Sequence, residues 1–504
     1  MDPFPVLFVL TRLAGLAGLL LVIPLLTALF TTHGGPRELL GYSVPLAISA
    51  VLFVWSRRIA RTGRVQISAP SQGFQCVVFG WLLFSVIGAL PFWISGALPH
   101  FVDAWFESIS GFTTTGASVF SSVEEVPHGL LLWRSMTQFI GGLGIIALFV
   151  AVLPALSAGG VLLFRSEVTA SVLEDRLRPR IKETARILWN IYAALCVLEF
   201  LALLGCGLPA FDAVCHALTT VSTGGFSTQN LSFAAYGAPA QWVAIVFMFL
   251  GATSFVLHGK ALQGDLRGYW RSSEFRLYVV ILLVAIAFLT VLVMVTAAPL
   301  PTDASPAPRS LDPALHDEDH FSTALRDAAF QVTSIMSSTG FASTDYDQWH
   351  DAGRFLLIVL MLIGGCSGST AGGVKVFRIL LVFRTILAQI ATLLSPSRIV
   401  TVRFSGQAVP RDALLAATAL VLLFLLLSIF GAIALMICGV QFEEAVSGTV
   451  ACLTCVGPAL GDLGPTGNFS GLPDAAKVIL SLLMLMGRLE LYAVLALAAT
   501  LRRP

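Results

Sequence analysis

Four short runs of small, mostly polar residues recur along this chain of 504 residues, each closed by a glycine. They are Thr113-Thr114-Thr115-Gly116, Ser222-Thr223-Gly224, Ser337-Ser338-Thr339-Gly340 and Thr454-Cys455-Val456-Gly457, with their glycines 108, 116 and 117 residues apart. Four such runs around one axis can offer backbone carbonyls to a dehydrated monovalent cation in place of its water. Glycine suits the closing position because the carbonyls must turn without a Cβ in the way. An acidic residue followed by alanine stands 12 or 13 positions before each glycine: Asp103, Asp212, Asp327 and Glu444. An acid there begins a short helix, caps its free N–H groups and complements its positive end, which leaves the negative end facing the run.

Two further features carry chemistry. The stretch Gly364-Gly365-Cys366-Ser367-Gly368-Ser369-Thr370-Ala371-Gly372-Gly373 interrupts an apolar segment, and so many glycines make it a loop rather than a helix. Lys375 closes it. Arg488 lies about 14 residues, roughly 21 Å, into the last apolar segment at 1.5 Å per residue. An arginine at that depth costs at least ~2.5–3.5 kcal/mol on insertion scales, so it must face a wet cavity or a partner. A charge lining a path and a buried pair with Glu490 both satisfy that demand. Cys452-Leu453-Thr454-Cys455 has CxxC spacing, but no second CxxC and no nearby histidine accompanies it, so chance explains it better than a metal or redox site. No HExxH, P-loop or GxSxG motif is present, and no enzymatic core is visible.

The elements that must position these residues are membrane spans. Apolar residues make up 56% of the chain and charged residues 12%, far from the balance of an ordinary soluble domain. Stretches long enough to cross a bilayer, roughly 20 apolar residues each, fall at 5–31, 42–56, 74–96, 130–156, 186–206, 239–262, 276–298, 353–392, 412–438 and 474–501. The first begins near Met1, lacks a cleavage pattern and is read as a span rather than a signal peptide. The four glycine runs lie between spans, after apolar stretches too short to cross. They are therefore re-entrant, since lipid tolerates irregular backbone only where protein or water satisfies it. The eight cysteines are scattered through apolar segments and read as buried thiols, not a disulfide framework.

Placing the N-terminus in the cytoplasm puts 21 of the 30 lysines and arginines in cytoplasmic segments and seven on the other side. That follows the positive-inside rule and sets all four runs at the outer mouth. The net charge of +1 gives no reason to invoke nucleic acid. The loop 300–322 is acidic and either enriches cations near the mouth or is merely solvated. Ile399–Phe404, Ser-Gly-Gln and Ala408–Pro410 read as a β-hairpin. The expected fold is an all-α integral membrane protein with four parallel span, re-entrant segment, span repeats around a central pore, plus two extra N-terminal spans. Its divisions are 1–65 for the extra pair, then 66–185, 186–275, 276–395 and 396–504 for the repeats, the last with the hairpin.

The residues FESISGFTTTGAS (106–118), RPRIKETA (178–185), TTVSTGGFST (219–228), SIMSSTGFAS (334–343), GGCSGSTAGGVKV (364–376), VGPALG (456–461) and GRLEL (487–491), in this order and at these spacings, resemble the Trk/Ktr/HKT superfamily of potassium transporters. The resemblance covers essentially the whole chain, and the extra N-terminal pair looks like the TrkH type. It implies a K⁺ uptake pathway in the bacterial cytoplasmic membrane, with a filter formed by Thr114, Thr115, Gly116, Ser222, Thr223, Gly224, Ser338, Thr339, Gly340, Cys455, Val456 and Gly457. K⁺ would sit at Thr115, Thr223, Thr339 and Val456, as the transported ion and not a cofactor. It further implies a gate built from Gly364, Gly365, Gly368, Gly372, Gly373, Lys375 and Arg488. The implied partners are a second copy of the chain, forming a homodimer, and a cytoplasmic RCK-type nucleotide-binding regulatory subunit, TrkA-like, with the hairpin as either docking surface or plain connector. The chain has no TVGYG, which predicts weaker discrimination than in a K⁺ channel. A sodium or mixed-cation pathway is the alternative, although glycine rather than serine at Gly116 favours K⁺ by the same resemblance.

Overall fold

The computed structural model describes residues 3–30, 35–61, 63, 70–151, 177–296, 320–395, 400–491, 493–494 and 497. Most of the acidic loop 300–322, the basic stretch before Leu177 and the first residue of the expected hairpin, Ile399, lie outside them, as does most of the chain after Leu491. Among these residues the architecture is helical, with one two-stranded hairpin.

An N-terminal unit comes first: α1 (Phe4–Leu20), α2 (Val22–Phe30) and α3 (Pro36–Ala60). Gly15 and Gly18 of α1 lie against Phe53 and Ser49 of α3, so small residues bring the two backbones together. Four units of one design follow. The first is α4 (Pro70–Ile94), the short α5 (Phe101–Phe112) and α6 (His128–Ala151). The second is α7 (Leu177–Gly205), the short α8 (Ala210–Val221), and α9 (Ala238–Ala252) with α10 (Phe255–Leu262), followed by a connecting turn of helix, α11 (Arg267–Arg271). The third is α12 (Ser273–Thr296), α13 (His320–Met336), α14 (Asp351–Ile363) and α15 (Val376–Leu394). The fourth is α16 (Arg411–Ile437), the short α17 (Phe442–Leu453) and α18 (Asp474–Arg488). The helices α5, α8 and α17 have 12 residues each, about 18 Å, too short for a hydrocarbon core of ~30 Å.

Among the described residues seven helices are long and apolar enough to cross a membrane, eight if the bent pair α9 and α10 is one span. The chain is a multi-pass membrane protein. Three expected spans are not straight helices. The sixth bends by 97° between α9 and α10. The segment 353–392 splits into α14 and α15 around the glycine-rich loop, at the place its glycines predict. The last helix stops at Arg488, because Glu490 and Leu491 adopt left-handed backbone with φ of 53° and 59°. Apolar length cannot reveal such breaks, since irregular backbone inside a membrane protein is solvated by other protein.

The hairpin is shorter than its sequence pattern. β1 (Arg403–Phe404) pairs antiparallel with β2 (Gln407–Ala408), in the register Arg403 to Ala408 and Phe404 to Gln407. Ser405 and Gly406, with φ of 45° and 87°, make the two-residue turn, so Gln407 belongs to the strand. Positive φ at both positions is what a tight hairpin turn requires.

The first and fourth units are joined by a largely buried ion pair, Lys477 Nζ to Asp103 Oδ1 at 2.5 Å. Breaking one side of such a pair strands a charge, whereas replacing both with apolar groups does not. Asp103→Leu or Lys477→Met alone should lower stability by about 3–5 kcal/mol, and the double variant should recover most of the loss. Thermal unfolding of the purified protein measures it, and a double variant no better than either single one would contradict the pairing.

Candidate functional site

The helices that lead into the four glycine runs, α5, α8, α13 and α17, end in the same way. After the last helical residue, Thr114, Thr223, Ser338 and Cys455 take φ between 53° and 56°. The next N–H then reaches back five residues: Thr115 to Ser110 O at 2.8 Å, Gly224 to Thr219 O at 2.8 Å, Thr339 to Ser334 O at 2.9 Å and Val456 to Ala451 O at 2.8 Å. This is a Schellman closure, whose left-handed position usually takes glycine. Holding an L-residue there costs roughly 1–2 kcal/mol. Four such residues in equivalent places mark a site where backbone direction matters more than local stability.

The glycines close a ring. A Cβ on Gly116 would collide with Gly224 O, one on Gly225 with Thr339 O, one on Gly340 with Val456 O, and one on Gly457 with Thr115 O. Each unit's glycine thus lies directly against a carbonyl of the next, and the fourth returns to the first. All four have φ between 82° and 99°. Only glycine combines that conformation with that approach.

This geometry shifts the second run by one residue. Gly225, not Gly224, is equivalent to Gly116, Gly340 and Gly457, and the ring carbonyls belong to Thr115, Gly224, Thr339 and Val456 rather than to Thr223. With Gly225 in place, the acidic residue stands 13 positions before the glycine in every unit. The uneven spacing was the sequence signal for the register.

The acids do not cap. Asp103, Asp212 and Glu444 lie in the first turns of α5, α8 and α17, which have no side-chain cap, and Asp327 lies within the longer α13. Asp103 instead pairs with Lys477, and Asp212 Oδ1 accepts a bond from Thr228 Oγ1 at 2.8 Å. Other polar side chains tether the strands leaving the ring. Glu107 accepts bonds from Ser118 Oγ at 3.1 Å and Val119 N at 2.9 Å, and pairs with Arg134 Nε at 2.5 Å. His216 Nε2 lies 3.0 Å from Ser227 Oγ, and Gln331 Nε2 donates to Ser343 Oγ at 3.4 Å. Glu107, His216 and Gln331 each stand nine residues before a ring glycine. Sequence reasoning passed over this period of buried polar positions in apolar helices.

The loop between α14 and α15 packs against the helix ends that form the ring. Thr370 Oγ1 donates to Val221 O at 3.0 Å, Gly372 N donates to Ser338 Oγ at 2.5 Å, and Gly372 lies against Thr454 O. Gly364, Gly368 and Gly373 have positive φ, whereas Gly365 and Gly372 are held by close contacts with Ala252 and Thr454. Val374 N and Lys375 N donate to Leu362 O at 3.0 Å and Ile363 O at 2.9 Å, folding the loop back on α14. Lys375 has φ of 78° and donates its Nζ to Ala371 O. Arg488, 2% exposed, donates to Thr370 O at 2.7 Å and Gly141 O at 3.4 Å, so it joins this loop to the first unit. Of the two readings the sequence left open for Arg488, the pair with Glu490 is not formed. Glu490 binds Arg378 at 2.5 Å instead. Among the described residues no cluster of histidine, cysteine or carboxylate side chains forms a metal site.

A family model described as "TrkH: Cation transport protein" matches residues 45–503. The Trk system potassium uptake protein TrkH of Salmonella typhimurium is 35% identical over 497 residues, covering 97% of both chains. That of Escherichia coli is 34% identical over 499 residues, again covering 97% of both. The crystal structure of the potassium transporter TrkH from Vibrio parahaemolyticus superposes with a TM-score of 0.85 at 30% identity, covering 100% of this chain and 99% of that one.

Alanine at Gly116, Gly225, Gly340 or Gly457 should cost about 1–3 kcal/mol each, because left-handed strain adds to a backbone collision. Gly224→Ala should cost less, since Gly224 does not have positive φ and its nearest neighbour is the Gln138 side chain. Chemical unfolding of the purified variants checks the order. A Gly224 variant weaker than the Gly225 variant would restore the original register.

Proposed function

The chain belongs to the TrkH family of cation transport proteins, and from that membership we propose that it takes up potassium across the bacterial cytoplasmic membrane through the ring described above. The observation that carries the reading is the convergence of four helix C-termini on one closed ring. Each helix end presents roughly half a negative charge, so the site attracts cations. Backbone oxygens at Thr115, Gly224, Thr339 and Val456 replace the ion's water, with Thr114, Thr223, Ser338 and Cys455 turning the chain towards them. With the N-terminus in the cytoplasm the ring faces outward, and the membrane potential drives the ion in.

The loop 364–373 and Arg488 form the gate on this reading. Its glycine-rich backbone is held by a few hydrogen bonds, and its partner Arg488 brings a desolvated guanidinium that repels a passing cation. The protein works as a homodimer, and a nucleotide-binding RCK-type subunit, docking on the hairpin and the basic cytoplasmic stretch near Leu177, shifts the loop. The transported K⁺ is the ligand, and no enzymatic step is involved.

Flux of K⁺, Rb⁺ and Na⁺ into vesicles holding the purified protein tests the reading. The wild type should pass K⁺ and Rb⁺ in preference to Na⁺. Arg488→Ala should raise K⁺ flux without the regulatory subunit by roughly tenfold, the change that ~1.4 kcal/mol of barrier supplies. Flat flux in a monodisperse variant would make Arg488 a structural residue.

A further inference from the structure

We propose that Gln138 is the positioning residue that sets this ring's discrimination between K⁺ and Na⁺, by clamping the second loop. The proposal rests on the reading of the ring as the ion path. Gln138 is fully buried on α6. Its Nε2 donates to Gly224 O at 2.6 Å, and its Oε1 accepts from Phe226 N at 3.0 Å. Only that orientation of the amide satisfies both partners. The two bonds bracket Gly225, whose backbone is left-handed, and the oxygen they hold is the one against which Gly116 lies.

Among the described residues the other units have no such clamp. Gly141, Gly251 and Gly487 play one role, lying against the helix-end carbonyls of Phe112, Val221 and Leu453. Three residues before each stand Gln138, Met248 and Met484, and a methionine has no donor. Among the described residues no donor reaches the carbonyls of Thr115, Thr339 or Val456. One ring oxygen of four is therefore committed to an amide. An oxygen that already accepts a hydrogen bond offers a cation a weaker field, and a weak-field site favours the larger, more readily dehydrated ion. Gln138 thus tilts the ring towards K⁺.

Gln138→Met keeps most of the side-chain volume and removes the clamp. It should lower the K⁺/Na⁺ flux ratio in vesicles about fivefold, the factor one ordinary hydrogen bond is worth. Gln138→Glu gives a readout that a structural role would not produce. When protonated, its carboxyl donates to Gly224 O and accepts from Phe226 N as the amide does; when ionised, it loses the donor and repels the carbonyl. The ratio in this variant should be near that of wild type at acid pH and fall below it as pH rises. Glu199 of α7 is buried with neither carboxylate oxygen hydrogen-bonded, and being common to wild type and variant it cancels in their comparison; other ionisable groups on the packed elements are engaged. Arg134 binds Glu107 and Ser227 O, His216 binds Asp212 O and Ser227 Oγ, Tyr192 binds Phe139 O, and Arg488 binds Thr370 O. If both Gln138 variants keep the wild-type ratio while Gly225→Ala changes it, the clamp proposal is overturned and the ion-path reading stands. If Gly225→Ala leaves the ratio unchanged as well, both are overturned.

Discussion

The contact on which the rest of this structure depends is the approach of each ring glycine to a carbonyl of the neighbouring unit. Four such approaches, Gly116 to Gly224, Gly225 to Thr339, Gly340 to Val456 and Gly457 to Thr115, close head to tail. No Cβ fits in any of them. The constraint explains why strained left-handed residues are tolerated just before it and why short helices stop where they do. It also explains why buried polar side chains such as Glu107, His216 and Gln331 are spent on tethering the strands that leave the ring.

The ring is also where symmetry breaks. Thr113 and Thr115 pair their hydroxyls at 2.8 Å, as Ser337 and Thr339 do at 2.7 Å, but Gly224 and Val456 have no hydroxyl to offer. The third unit adds the loop that lies against three helix ends, and the fourth adds Arg488, which ties that loop to the first unit. The four units thus differ in parts that a strictly four-fold arrangement would not have, and those parts have the chemistry that is easiest to test.

The helical membrane fold and the N-terminal pair of spans, Phe4–Phe30 and Pro36–Ala60, were legible in the sequence, because apolar length and glycine punctuation are direct consequences of the solvent and of backbone sterics. Other features were not. The bend between α9 and α10 and the halt after Arg488 leave no mark on hydropathy, since their N–H groups find partners all the same: Phe255 N in Gly368 O, and Glu490 N and Leu491 N in Gly487 O and Met486 O of the helix itself. The register of the second run was one residue off because Gly224-Gly225 offers two glycines, and only the spacing to Asp212 distinguishes them. Gln138 and Arg134 sit with Ser135 and Thr137 in an otherwise apolar helix, and nothing in a lone sequence says which carbonyls they meet. The partner of Arg488 was open between a wet path and Glu490, because the second left-handed turn that carries Glu490 towards Arg378 is invisible to a helical reading.

The central claim is that a cation sits within this ring. Crystals of the protein grown or soaked in Rb⁺ and examined by anomalous scattering address it directly, because Rb⁺ stands in for K⁺ and is located without reference to the protein density. The account predicts an anomalous peak on the axis enclosed by the carbonyls of Thr115, Gly224, Thr339 and Val456. A ring without Rb⁺ and a peak elsewhere in the molecule would contradict it.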